Sequence, residues 1–283
     1  MKGAALDRIQ WPWRQRLSVL LLLSFSRGGC ASLRPPPLPA SRPLSAENFP
    51  LPQDLLRGLE ARRQAITSLR GLARVVYKDT QEKGTAKQAI AVAAPDRFRW
   101  ELFSPIGVAT LVTSNGKTLS TYFPSDKVLY RGGATAENVA RFTRVALSPR
   151  EIVGLLLGTP VLPLMGDTCT VSLDSHLNWY RLHCQATGEN GVALWFEPQT
   201  FQLRRMELYS ENSVATKRMD LADYRAIGDQ LFPFEVALSD FQSQQQASIL
   251  YERVELNPNP ADAIFVLASI NGVREIDADA LNP

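Results

Sequence analysis

The feature that most limits how this 283-residue chain can fold is a pattern of apolar residues at every second position. The pattern occurs in short runs that are separated by turn residues. In DRFRWELF, Phe98, Trp100 and Leu102 alternate with charged residues, and the same period recurs in KTLSTYF and LFPFEVAL. This period is that of a strand with one buried face. Asn115–Gly116, between two such runs, is a strong hairpin signal. The pattern predicts a mainly β protein with some α structure, in which a single curved antiparallel sheet of about ten or eleven strands forms an open half-barrel.

Short helices are predicted to cover the mouth of this half-barrel. PQDLLRGLEARRQAITSL has apolar residues at helical spacing and a proline, Pro52, near its start. TAENVARFTRVAL and SPREIVGLLLG predict two more helices. The latter begins at Ser148, and Glu151 stands at the spacing of a capping box.

The N-terminal residues have the pattern of a bacterial lipoprotein signal. A basic stretch precedes the apolar run Leu17–Phe25, and Gly-Gly-Cys follows, ending at Cys30. The run is too short to span a bilayer as a permanent helix. We therefore interpret residues 1–29 as a signal peptide and Cys30 as the lipidated first residue of the mature protein. Arg27 departs from the small aliphatic residue usual at that position, so an ordinary secretory signal and a short uncleaved anchor remain alternatives.

Composition divides the remainder of the chain into three parts. Residues 30–50 carry the cysteine and a proline-rich tether, residues 51–270 are expected to form the half-barrel domain, and residues 271–283 form a polar tail. The net charge of +3 comes from the signal peptide. The mature protein is therefore close to neutral and lacks the basic surface that nucleic-acid binding needs.

Two further cysteines flank a predicted hairpin. Folding the chain about His176–Leu177 places Cys169 directly opposite Cys184 on antiparallel strands, within reach of a disulfide. In an oxidising compartment this pair is expected to be bridged. The alternative is a pair of small buried thiols.

Motifs for catalysis and for metal or cofactor binding are missing from the sequence. His176 and His183 are the only histidines, and neither has carboxylates at a metal-binding spacing. SNGKT lacks the glycine that a phosphate-binding loop needs five residues before Gly116, where Leu111 stands instead. No GxSxG elbow is present. We therefore predict a protein that is not an enzyme and that needs no metal or cofactor.

Bulky apolar residues on several strands are predicted to line a hollow that could hold acyl chains. The alternative for each is packing in the core between sheet and helices. These residues are Phe98, Trp100, Leu102, Phe196, Phe232 and Phe234.

The segment LFSPIGVATL predicts an apolar turn. Pro105, Ile106 and Gly107 form its tip, where polar residues are usual because the tip faces water. An exposed Ile106 would be available to enter a membrane or to contact a partner. The alternative is that Ile106 folds back onto the body of the protein.

Several of these stretches together resemble the LolA/LolB group of periplasmic lipoprotein carriers, and most closely its outer-membrane receptors. The matching segments are SLRGLARVVY, FRWELFSPIGVATL, SNGKTLSTYFP and LSPREIVGLLLGTPVLP, within about residues 50–165. The most specific is SPIG, which is similar to the family's Asn–Pro–Leu–Gly turn. Ile106 occupies the position of the family's protruding apolar residue.

The resemblance implies an eleven-strand open half-barrel with a helical lid. It also implies a lipid-anchored monomer on the outer membrane that faces the periplasm. Such a protein would take acylated lipoproteins from a periplasmic LolA-like carrier and insert them into the inner leaflet of the outer membrane. The alternatives are a carrier or sensor for another lipid or glycolipid, and a non-catalytic structural lipoprotein of the envelope.

Overall fold

The computed structural model describes residues 49–143, 145–162, 165–186 and 189–281. The first part of this range contains the elements α1 (Pro52–Ala65), β1 (Ser68–Lys78), β2 (Lys83–Ala93), β3 (Arg97–Ser104), β4 (Gly107–Asn115), β5 (Thr118–Phe123), β6 (Val128–Gly133), α2 (Ala136–Thr143) and α3 (Pro149–Leu156). The second part contains β7 (Met165–Asp174), β8 (Trp179–Ala186), β9 (Glu189–Phe196), β10 (Leu203–Tyr209), β11 (Ala215–Ile227), β12 (Gln230–Asp240), β13 (Gln245–Leu256), a 3₁₀ helix (Asp262–Phe265) and β14 (Arg274–Asp277).

All fourteen strands belong to one sheet, in the order β14-β6-β5-β4-β3-β2-β1-β13-β12-β11-β10-β9-β8-β7. Two meanders make up this sheet, β1 to β6 and β7 to β13, and they join where β1 pairs with β13. Neighbouring strands are antiparallel, except that β14 runs parallel to β6. The edge strands of the described sheet, β7 and β14, are not neighbours, so the sheet is open.

The prediction of an open, mainly antiparallel sheet is confirmed, but the predicted number of ten or eleven strands is wrong. The segment from Met165 to Leu256 alone supplies seven strands joined by short turns. One more strand, β14, lies in the region that the sequence assigned to a polar tail. Its sequence, Arg274–Asp277, contains a single apolar residue, Ile276, so it shows no apolar alternation, and none of its side chains is fully buried.

The three predicted helices are present, and α2 and α3 pack on the same side of the sheet. The Tyr251 hydroxyl of β13 donates a hydrogen bond to the Leu156 carbonyl of α3 at 2.9 Å. The ring of Phe142 in α2 lies 5.0 Å from that of Tyr130 in β6, measured between ring centroids. Strand alternation places both tyrosines on one face. We call this helix-covered side the inner face and the opposite side the outer face.

The predicted capping box of α3 is confirmed. Ser148 Oγ accepts a hydrogen bond from the Glu151 backbone N–H, and the Glu151 carboxylate accepts one from the Ser148 backbone N–H at 2.7 Å. These two bonds satisfy N–H groups that a helix start would otherwise leave open. The cap therefore fixes where α3 begins above the sheet.

The C-terminal segment crosses the outer face. After β13 the chain returns over β2 and β3, where Phe265 packs against Ala91 and Ala93. Arg99 of β3 donates a hydrogen bond to the Ile264 carbonyl at 3.2 Å. Farther along, Arg131 of β6 donates one to the Leu267 carbonyl at 2.9 Å. These contacts lead the chain to the edge where β14 pairs with β6.

Cys169 and Cys184 are joined by a disulfide between β7 and β8. The two residues are direct partners in the strand register, and their Cα atoms are 4.2 Å apart. The predicted register of this hairpin is thus confirmed. The bond links β7, which forms one edge of the described sheet, to its neighbour.

Candidate functional site

The residues predicted to line an acyl-binding hollow divide into two groups in the structure. Phe98, Phe196 and Phe232 are at most 1% exposed. They belong to the core between the inner face and the helices, where Phe232 makes an edge-to-face contact with Tyr251 at 5.4 Å. In this structure these three rings are core residues and do not line an open cavity.

The other predicted lining residues, Trp100, Leu102 and Phe234, are half-buried. Near the α2–α3 connection, a gap of ≈ 10 Å³ lies between Leu147 and the strands at Leu238 and Ala247. A gap of that size holds about one water molecule.

Arg62 ties α1 to the sheet through a buried guanidinium group. Its Nη1 donates hydrogen bonds to the Leu231 carbonyl at 2.5 Å and to Gln202 Oε1 at 3.1 Å, and its charge lies 5.5 Å from the centre of the Tyr224 ring. Burial lowers the pKa of Arg62. Burial also raises the pKa of Tyr224 to about 12, against the opposing effect of Arg62 and Arg204. This cluster holds α1 in place and contains no nucleophile or general base active near neutral pH.

The predicted apolar turn lies at the tip of the β3–β4 hairpin. Ile106 is 98% exposed, so the alternative in which it folds back onto the body does not describe this structure. Gly107 has a φ of +128°, a conformation that L-residues rarely adopt, and the Ser104 hydroxyl donates a hydrogen bond to its carbonyl at 3.0 Å. The turn therefore holds Ile106 out into solvent.

Two more apolar residues border this tip. Phe103 and Val108 are direct cross-strand partners, and each is 36% exposed. With Ile106 they place three exposed apolar residues on one hairpin, and we call these three residues the apolar tip. Soluble proteins rarely cluster exposed apolar side chains unless the cluster contacts a partner or a membrane.

A groove of ≈ 720 Å³ lies on the outer face, beside the returning C-terminal segment. Its apolar part comprises Leu72, Ala89, Ala91 and Ile264, and charged residues form its rim. No sequence pattern indicates this groove, because it forms only where the chain after β13 crosses β2 and β3, which lie more than 150 residues earlier in the sequence. Alternation along a strand shows which residues share a face, but it does not show what crosses that face.

The described residues give little support for a metal site or for a membrane-spanning helix. No three His, Cys, Asp or Glu side chains in this part of the chain converge as a metal site requires. Nor does any described helix combine the length and apolarity that crossing a bilayer demands. The predicted signal peptide, Cys30 and the tether up to residue 48 lie outside the described residues.

Comparison with known proteins relates this chain to others through its fold. No protein-family sequence model and no curated protein sequence matches it. A DUF1329 family protein from Desulfovibrio piger superimposes with a TM-score of 0.55 at 14% identity, covering 76% of this chain and 95% of that one. An outer membrane lipoprotein-sorting protein domain from Vibrio parahaemolyticus gives 0.53 at 12% identity, with 75% and 94% covered.

A LolA superfamily protein from Nitrosomonas europaea also has this architecture. Its TM-score is 0.51 at 14% identity, and the match covers 77% of this chain and 99% of that one. Each of these proteins is matched over nearly its whole length, so the likeness extends over the sheet and is not limited to one hairpin. The chain therefore has the fold found in LolA superfamily and outer-membrane lipoprotein-sorting proteins.

Proposed function

We propose that this protein is a lipid-anchored envelope protein that binds the acyl chains of lipoproteins and helps to insert them into the outer membrane. The observation that carries the proposal is the apolar tip, in which Ile106 is almost completely exposed between two other apolar residues. The fold supports it, because solved relatives of this fold include proteins described as lipoprotein-sorting and LolA superfamily proteins.

The energetics explain why such a protein is needed. An acyl chain in water costs about 0.8 kcal/mol per methylene, so a lipoprotein cannot cross the periplasm with its chains exposed. A periplasmic LolA-like carrier would deliver the acylated lipoprotein, and transfer needs no other energy source if the receiving surface binds the chains at least as well. Release into the inner leaflet then gains from complete burial of the chains. We expect the receiving protein to act as a monomer, anchored through Cys30.

The apolar tip has the right strength for a transient membrane contact. Burying a fully exposed Ile side chain contributes about 1.5–3 kcal/mol, and the partly exposed Phe103 and Val108 add a smaller amount. This is too little to hold the protein on a membrane without a lipid anchor. It is enough to keep the hairpin at the bilayer surface while cargo is released.

Acyl binding on the inner face requires the helices to move. Phe98, Phe196 and Phe232 are packed beneath them and are at most 1% exposed. Displacing α2 and α3 would first uncover the half-buried Trp100 and Leu102 of β3. The helices therefore act as a lid in this proposal.

The test is Ile106→Glu, which places a charge at the tip without removing any buried group. We expect wild-type folding but at least tenfold less insertion of a purified acylated lipoprotein into vesicles of outer-membrane lipids, because a carboxylate resists entry into the apolar layer. Leu51→Glu is the matched control. Leu51 is also an exposed aliphatic residue, with 56% of its surface accessible, and it precedes α1. It lies far from the apolar tip, because the ring of the nearby Phe49 contacts Tyr180 at the opposite end of the strands.

Equal insertion by the two variants would refute a role for the tip in membrane contact. Mislocalised lipoproteins in cells that carry only Ile106→Glu would support the sorting role over a general lipid carrier. Correct sorting in those cells, together with another co-purified lipid, would instead favour the alternative of a carrier for that lipid.

A further inference from the structure

The groove on the outer face is a second apolar surface, separate from the inner face and its helices. We propose that it binds a single-chain anionic amphiphile, with the acyl chain on the apolar floor and the acidic head group at Arg253. This site does not depend on the proposed lipoprotein transfer, since the side chains that form its floor and its charged rim lie on the outer face, away from the helices of the lid.

The floor of the groove suits a hydrocarbon chain. Leu72 of β1 is paired in register with Ala89 of β2, and Leu72 is 40% exposed. Ala91, two residues further along β2, extends the floor, and Ile264 of the crossing segment forms a wall above it. The small alanine side chains keep the floor low, which leaves a volume of ≈ 720 Å³. That volume lies in the range of known small-molecule sites.

The charges on the rim select the sign of the head group. Arg70 is paired with Glu255, and Arg99 with Glu101, each pair at 2.6 Å. These two ion pairs neutralise four of the rim charges.

Arg253 is the fifth charged residue of the rim, and it has no acidic partner among the described residues. It is the register partner of Leu72, so its side chain stands about one strand spacing, roughly 4.8 Å, from the apolar floor. The groove thus combines an apolar floor with one uncompensated cation at its edge. An acyl chain that ends in a carboxylate or a phosphate has the complementary pattern.

The site can be tested by photo-crosslinking on the full-length, membrane-anchored protein. The probes are a 16-carbon fatty acid with a diazirine on its chain, the matching fatty alcohol, and the matching lysophosphatidic acid. Mass spectrometry of the labelled peptides shows where each chain lies. We expect labels from the acidic probes at Leu72, Ala89 or Ile264, and about tenfold less labelling by the alcohol, because it cannot form the charge-assisted bond.

Matched variants separate the head-group contact from general surface charge. Arg253→Gln should reduce labelling by the fatty acid about tenfold and leave labelling by the alcohol unchanged. Arg74→Gln removes the same charge from an exposed site on the same face of β1, two residues beyond Leu72, and should change neither. Leu72→Glu should reduce labelling by all three probes.

Three results would overturn the proposal. They are labels confined to the inner face, equal labelling by acid and alcohol, and equal effects of Arg253→Gln and Arg74→Gln. The relative yields of the fatty acid and the lysophosphatidic acid identify which anionic group the site prefers. Loss of lipoprotein insertion in Ile106→Glu has no bearing on this outcome, so the two proposals fail separately.

Discussion

Gly71 lies where β1 and β13 join the two halves of the sheet, and replacing it with alanine tests how tightly that junction is packed. A Cβ atom at this position would lie 2.6 Å from the Arg253 carbonyl oxygen. Real Cβ atoms do not approach backbone oxygens so closely, and a backbone carbonyl cannot rotate away as a side chain can. One of the two paired strands must therefore shift, next to the register irregularity at Leu72 and Ala73.

The expected cost of Gly71→Ala is that of overpacking, about 1–3 kcal/mol. Gly84→Ala is the matched control, because Gly84 also lies in a strand, β2, and a Cβ there meets nothing within 4 Å. At such a compatible position alanine stabilises a protein by about 0.4–1 kcal/mol through the entropy of the unfolded chain. The two variants should therefore differ by about 1.5–4 kcal/mol in unfolding free energy.

Urea denaturation followed by tryptophan fluorescence measures this difference directly. In a thermal melt each kcal/mol corresponds to a shift of about 2–4 °C for a domain of this size. If Gly71→Ala proves as stable as Gly84→Ala, the close approach of β1 to Arg253 is not a constraint, and the reasoning is wrong. A loss of stability in both variants would indicate that the cost belongs to strand glycines in general.

Two further predictions concern buried and partly buried polar groups. Thr121 Oγ1 is completely buried with no hydrogen-bond partner among the described residues, so Thr121→Val should raise the unfolding free energy by about 1 kcal/mol. Ser114→Ala is the contrasting variant and should lower the unfolding free energy by about 1 kcal/mol, because the Ser114 hydroxyl accepts a hydrogen bond from the Gly116 N–H at 3.1 Å. Urea denaturation measures both changes, and a less stable Thr121→Val with a more stable Ser114→Ala would contradict this explanation. The Trp195 indole N–H, at 2.9 Å, holds the pKa of Asp174 below its usual 3.8, with help from two backbone N–H groups. The charged Asp174 carboxylate therefore stabilises the fold above about pH 4, and this stabilisation is lost as the pH falls and the carboxylate is protonated. Asp174→Asn should flatten the fall in unfolding free energy below about pH 4, and an unchanged pH profile would count against this role.

Local signals in the sequence predicted local structure well. Ser148 and Glu151 fixed the start of α3, Asn115–Gly116 marked a real hairpin, and counting outward from one turn placed Cys169 opposite Cys184. Each of these features depends on residues close together in sequence. Their geometry is set by turn and capping chemistry that a single segment contains.

Long-range features could not be predicted in the same way. The outer-face groove exists because Ile264 reaches Arg99, 165 residues away in sequence. Strand β14 is a short polar segment, and it pairs with β6 only because the segment that crosses the outer face places it beside that strand. Likewise, alternation predicted that Phe98 and Phe232 share a face with other apolar residues, but it could not show that helices cover them. In the structure both rings are packed in the core.

The meeting of β1 with β13 has a consequence for how the protein reaches its native state. Leu69 pairs with Leu256, so the first strand of the sheet must wait for a partner synthesised almost two hundred residues later. Until then β1 has hydrogen-bonding groups without a neighbour along one side, and such an edge can capture another chain. Closing so long a loop is also slow compared with forming a hairpin. A newly synthesised chain is therefore most vulnerable to aggregation just before its last long strand is available, and we expect chaperones to matter most for it at that stage.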